Sequence, residues 1–341
     1  MDQFYLDKFR GALIGMAIGN TIGNPFKGRL KNEISLHYDY FFDFIKKHRD
    51  KIHSIGSDTQ LAIHTTKALI EAKGYSSDLM IKHLIDWLDD PPINPGYNSL
   101  TTIKKLKYGV SLQKASSNSG GNGALTRVAP IGLFFSKDLV KLREVALAST
   151  SITHSNPFTK ASAILIARAI SFLLDINSEN GFFVNDFFDS LEMMISHTQK
   201  KEWDTLITIL AKLKNNLNLS MEAGIIKFSQ VGVKSPYFIE DYLGKAFIHP
   251  YSVSTLIGTL FIFLKNVNSF EKCIFELCTA GGNTDTVGAL GGALAGVYFG
   301  EKDIPKDLIS LVDDYKMFFT LASDLLEIFQ EKYLTKFTFR K

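Results

Sequence analysis

The sequence predicts an all-α fold. Apolar residues recur at helical spacing, strict two-residue alternation is scarce, and clusters of turn-forming residues divide the chain into helix-length segments. Leu61, Thr65, Ala68, Leu69 and Ala72 fall on one helical face, as do Leu139, Leu142, Val145, Ala146 and Ser149. The breakers gather at residues 23–28, 89–96, 116–123, 155–157 and 281–283. No internal repeat and no Pro-rich or Ser-rich linker splits the chain, so the expectation is one compact domain over residues 1–341.

In chain order, Met1 to Arg10 mixes Asp2 and Asp7 with apolar residues, and no basic segment precedes a long apolar run, so no secretory signal is expected. The loop Ile55 to Gln60 leads straight into the apolar face that starts at Leu61, which makes Ser57 or Asp58 a candidate N-cap. Asn118 to Gly123 is a glycine loop with backbone N–H groups free of bulky side chains, equally suited to a flexible turn or to wrapping a phosphate or ribose. Arg127 follows, to pair with a buried acid or hold an anion, the acid being preferred. His154 sits in the loop Thr153 to Pro157 as a base, a ligand contact or a loop-fixing hydrogen bonder, with no second His or Cys at zinc-ligand spacing.

Ala161 to Leu174, interrupted by Arg168, and Val253 to Leu264, stopped by Lys265, fall short of the ~20 residues a bilayer requires and read as buried helices. The aromatic segments Tyr38 to Phe44 and Phe182 to Phe188 are expected in the core. Cys273 and Cys278, five apart on a helix, point to different sides; reduced thiols in a cytosol are the expectation. Gly281 to Thr286 then opens a segment, Val287 to Gly296, whose small residues recur at three- and four-residue spacing and would let another helix approach closely. Asp285 and Thr286 at its start either cap it or hold a ligand. If both Asp-Thr pairs meet in space, two carboxylates and two hydroxyls surround one point, as a hard cation requires.

Composition adds little. The chain is 45% hydrophobic and 21% charged, and 38 basic against 35 acidic residues leave a net charge of +3, which calls for no nucleic acid.

The four loops in this order, together with Gly11 to Gly23 and with Gly300 and Pro305, resemble the ADP-ribosylhydrolase family, over most of the chain. The resemblance implies a compact all-α protein and, in typical members, two Mg²⁺ ions that serve cleavage of the bond between ADP-ribose and a side chain or small molecule. The family's Thr-Asp-Asp-Thr is here Gly56, Ser57, Asp58, Thr59, and its Gly-Gly-Asp-Thr-Asp-Thr has Asn283 in place of the first acid. Asn20 and Lys27 replace two further acids. Two divalent ions need anions around them, and among the matched positions only Asp58 and Asp285 keep one.

The expected cofactor is therefore at most one Mg²⁺, on Asp58, Thr59, Asp285 and Thr286, with metal-independent chemistry through Lys27 as the open alternative. A solvated Lys27 on a mobile loop is the rival to that role. The catalytic candidates are Asp58, Asp285 and Lys27; the ligand-binding candidates are Ser119, Gly121, Asn122, Gly123, His154, Asn283, Asn20 and Ser57. The expected partners are ADP-ribose and an ADP-ribosylated protein, modified for example on arginine. The expected function is hydrolysis of that linkage, the alternative a catalytically inactive ADP-ribose-binding or protein-interaction role.

Overall fold

Two helices from opposite ends of the sequence form the centre of the computed structural model, which describes residues 2–34, 38–47, 55–196, 198 and 200–334. The first, α1 (Gln3–Gly23), starts at Asp2, whose carboxylate accepts the Phe4 amide at 2.9 Å, and is buried throughout from Gly11 to Gly23. In order follow α2 (Lys31–Ile34), α3 (Tyr38–Lys47), α4 (Ser57–Glu71), α5 (Ser77–Asp86), α6 (Tyr97–Lys107), α7 (Leu112–Ala115), α8 (Ala129–Phe134) and α9 (Leu139–Thr153). The second half holds α10 (Pro157–Leu174), α11 (Val184–Ile195), α12 (Lys201–Lys214), α13 (Met221–Phe228), α14 (Ser252–Lys265), α15 (Phe270–Cys278), α16 (Thr284–Phe299), α17 (Lys306–Ile309) and α18 (Tyr315–Tyr333). Among the described residues there is no sheet, only isolated bridges such as Ser117 with His154 and Ile248 with Gly282.

The glycine stripe of α16 finds its partner in α1. The helices run antiparallel, Gly11 against Gly296, Gly15 against Gly292, Gly19 against Gly288 and Gly23 against Thr284. A Cβ at Gly15 would collide with the Gly292 carbonyl, so only glycine lets the two backbones touch. This contact places the C-terminal end of α1 beside the N-terminal end of α16, and so Asn20 and Lys27 beside Asp285.

α10 is long and apolar enough to cross a membrane by composition, but 78% of it is buried inside the protein, as a core helix is. Asn156 caps it by accepting the Phe158 and Thr159 amides. Phe41, Phe187 and Phe188 are buried, as expected of the aromatic segments, while Tyr40 and Phe183 face solvent; the side chains of Tyr38, Asp39 and Phe44 lie outside the described residues. Cys273 and Cys278 are free and buried, and burial raises both thiol pKa values.

Candidate functional site

α4 and α16 begin at the same place, and neither begins with a side-chain cap: Gly56 precedes α4 and Asn283 precedes α16, with no cap hydrogen bond from either. Asp58 and Asp285 sit in the first helical turns, where the unpaired N–H groups and the helix dipole favour negative charge. Their side chains are bonded across the site instead of to their own helices. Asp58 accepts the Thr286 hydroxyl at 2.8 Å on Oδ2 and the Thr126 hydroxyl at 3.3 Å on Oδ1. Asp285 holds the Lys27 ammonium at 2.6 Å on Oδ2, while its buried Oδ1 has no partner among the described residues. The N-cap expectation for Ser57 or Asp58, and for Asp285 and Thr286, is thereby corrected: tertiary partners outcompete the local N–H groups.

Lys27 is correspondingly an ion-paired lysine, although its side chain keeps 39% of its surface in solvent. Burial works against its ammonium, but the Asp285 carboxylate, aided by Asp58, outweighs burial and raises its pKa. Burial first, and the Asp285 charge second, push the Asp58 carboxyl up to about 6, against the pull of Lys27 and the two hydroxyls.

Asn20, expected to meet ligand, has no exposed surface and uses its whole amide inside the protein. Its Oδ1 accepts the Gly56 amide at 2.6 Å and the Thr59 hydroxyl at 3.0 Å, and its Nδ2 donates to the Asp285 carbonyl at 3.3 Å. It ties the starts of α4 and α16 together, which corrects the ligand-binding expectation. A carboxylate could accept the first two bonds but could not donate the third. Ser57 is buried and donates to Ile93 and Asn94 carbonyls through its amide and hydroxyl. Asn94 in turn reaches Asn24 at 2.9 Å. Asn283 is almost buried, its amide bonded to the Ile248 carbonyl at 3.0 Å. Gly282 beside it has φ +78, and a Cβ there would strike the Ile248 backbone.

A hard divalent ion needs several free oxygen ligands. Here one Asp285 oxygen carries Lys27, both Asp58 oxygens accept hydroxyls, and the Thr59 hydroxyl donates to Asn20. Among the described residues no group of three His, Cys, Asp or Glu side chains is arranged to hold a metal ion. This donor set does not fit a dinuclear centre, and for a single ion it leaves only Asp285 Oδ1 without a partner, beside the Lys27 charge.

A cavity of about 300 Å³ is lined by Ser119, Gly121, Asn122, Gly123 and His154, with Tyr97, Tyr251 and His249 among its other walls. The glycine loop is knitted to the chain before α14: the Asn122 amide donates to the Pro250 carbonyl, Ser252 donates to Gly120, and the Asn122 side chain donates to Thr255 at 2.8 Å. Ser119 accepts the Gly121 amide and the Asn98 side chain. The acid pair is not part of this lining. It is joined to the cavity through Thr126, three residues after Gly123, and through Ile248, next to His249.

Arg127 also departs from expectation. It is fully buried, and its Nη2 donates to the Ser149 carbonyl and the Thr153 hydroxyl, both at 2.7 Å; among the described residues it has no acid as partner, and its Nε and Nη1 have no hydrogen bond. Sequence reasoning did not single out the hydroxyls of Thr126 and Thr255, nor the cavity walls Tyr97, His249 and Tyr251. Each meets the site through a partner far along the chain, and nothing local marks it.

A family profile described as ADP-ribosylglycohydrolase matches residues 1–335. The chain is 25% identical to mouse ADP-ribosylhydrolase ARH3 over 299 residues, covering 80% of this chain and 77% of that protein. It is 23% identical to the ADP-ribosyl-[dinitrogen reductase] glycohydrolase of Rhodospirillum rubrum, over 90% of each. A solved structure described as an ADP-ribosylglycohydrolase-related protein complex superposes with a TM-score of 0.67 at 19% identity, over 95% of this chain and 98% of the other, and shares the fold.

Proposed function

The chain belongs to the ADP-ribosylglycohydrolase family, and on that premise we propose that it hydrolyses the bond between ADP-ribose and a modified protein side chain, with Lys27 standing in for a divalent ion. The observation that carries this reading is the pair of buried carboxyl groups: Asp285 keeps an oxygen without a partner, and Asp58, with its pKa near 6, exchanges a proton around neutral pH. The free Asp285 oxygen accepts a hydrogen bond from the attacking water. As the bond from the anomeric carbon to the acceptor breaks, the acceptor leaves with the electron pair and takes up the proton that Asp58 carries. The water oxygen bonds to the carbon, and its proton passes to a carboxylate. The positive charge that develops on the sugar is stabilised by the two acids. An ammonium has three donors; Lys27 uses one on Asp285, and the others are available to ribose hydroxyls. The glycine loop and His154 bind the rest of the ADP-ribose. Free, buried thiols are in keeping with a cytosolic setting.

A second reading, an ADP-ribose-binding protein without catalysis, is favoured by one observation, the neutralisation of Asp285 by Lys27. Release of ADP-ribose from arginine-modified protein separates the two. Release is expected to resist chelator and to fall by roughly 100-fold or more in Asp285→Asn. Binding of ADP-ribose without release from any modified protein would leave the second reading; release abolished by chelator would remove the role given to Lys27.

A further inference from the structure

The geometry points to Arg127 and Thr153 as positioning residues that hold the His154 imidazole in its Nε2–H form, so that the cavity wall offers a fixed N–H donor to an oxygen of the bound ligand. The identity of that ligand rests on the ADP-ribose reading above; the tautomer does not.

A buried guanidinium without a carboxylate is unusual, and what Arg127 does instead is specific. Guanidinium groups only donate. In the 2.7 Å contact from Arg127 Nη2 the Thr153 hydroxyl oxygen must therefore be the acceptor. The proton of that hydroxyl then needs an acceptor of its own, and among the described residues the one within reach is His154 Nδ1 at 2.8 Å. An Nδ1 that accepts carries no proton, and a neutral ring must then carry it on Nε2. The opposite arrangement, with Nδ1–H donating to Thr153, would leave a buried hydroxyl proton unbonded, which is unfavourable. Burial, reinforced by the Arg127 charge, pushes the His154 pKa down to about 3, which keeps the ring neutral at ordinary pH.

The loop that carries the ring is fixed as well. Ser117 donates its amide to the Thr153 carbonyl at 3.0 Å, and Ser155 donates back to the Ser117 carbonyl at 2.8 Å. The Cε1–Nε2 edge faces Gly123, where a Cβ would come within 3.5 Å of Cε1. The donor thus opens onto the same space as Ser119, Gly121 and Asn122, and its partner is an acceptor oxygen, phosphoryl or ribosyl.

Nitrogen-15 NMR of the ligand-free protein reads the tautomer directly, with ADP-ribose affinity measured by calorimetry on the same samples. His249 serves as internal reference, because its Nδ1 accepts the Tyr251 amide at 3.0 Å and it is unconnected to Thr153. The wild type should show His154 protonated on Nε2. Thr153→Val, which keeps the shape and removes the hydroxyl, should shift His154 toward the Nδ1–H form and weaken ADP-ribose binding roughly tenfold. Thr153→Ser should restore both, and His249 should not change. An Nδ1–H or charged His154 in the wild type overturns the proposal, and so does a Thr153→Val protein with unchanged tautomer and affinity. If the tautomer behaves as stated but ADP-ribose does not bind the wild type, the relay stands and the ADP-ribose reading falls.

Discussion

Ionisation of Asp58 works against folding, because burial and the neighbouring Asp285 charge raise its pKa from 3.8 to about 6. Between those values the folded chain holds a proton that the unfolded chain has released, so stability falls as pH rises through this window. A difference of about two units corresponds to roughly 3 kcal/mol at neutral pH. Asp58→Asn, nearly the same shape without the charge, should therefore be more stable than the wild type at pH 7, with the gap closing as pH approaches 4. Urea denaturation midpoints at pH 4, 5.5 and 7 check this, and a variant that is less stable at pH 7 would contradict the strained carboxylate. Activity should move the other way: ADP-ribose release by the same variant should drop by about 100-fold or more. A residue that costs stability while serving chemistry is what a functional carboxylate in a dry site looks like.

The contact between α1 and α16 makes the same kind of demand on whole helices. Gly15→Ala adds one methyl where the Gly292 carbonyl already stands, far from either acid in sequence. The ordinary gain from alanine in a helix, under about 1 kcal/mol, is outweighed by forcing two backbones apart, and a net loss of roughly 2 kcal/mol is expected. Calorimetric melting of Gly15→Ala against the wild type measures it, and an unchanged or raised melting temperature would refute the close contact. The stripe on α16 was legible in the sequence because spacing is a local property; that α1 answers it was not. The helical class and the four polar loops were legible for the same reason. Lys27 was not resolved, since a solvated lysine and an ion pair have the same sequence and its partner Asp285 lies 258 residues away. Asp58 and Asp285 read as caps by the local rule, whereas hydroxyls and an ammonium from distant segments bind them. Arg127 was expected to meet an acid because charge suggests charge, yet the partners of its Nη2 are carbonyl and hydroxyl oxygens.

For the molecule as a whole, the chain's first long helix packs on its sixteenth, so the core is not closed until both are in place. Unfolding should then be one event. The two tryptophans report from separate places, Trp87 just after α5 and Trp203 in α12, and both are buried. Fluorescence and far-ultraviolet circular dichroism should give coincident denaturant transitions; a fluorescence transition that precedes the loss of helix would show that parts of the molecule unfold separately. The seam of main chain on main chain also sets how firmly the start of α16 is held. It has no side chains to rotate out of the way, so neither helix can slide or tilt without breaking the seam. Asp285 therefore stands on a stiff floor, while Lys27, 39% exposed and outside both helices, reaches it from the flank.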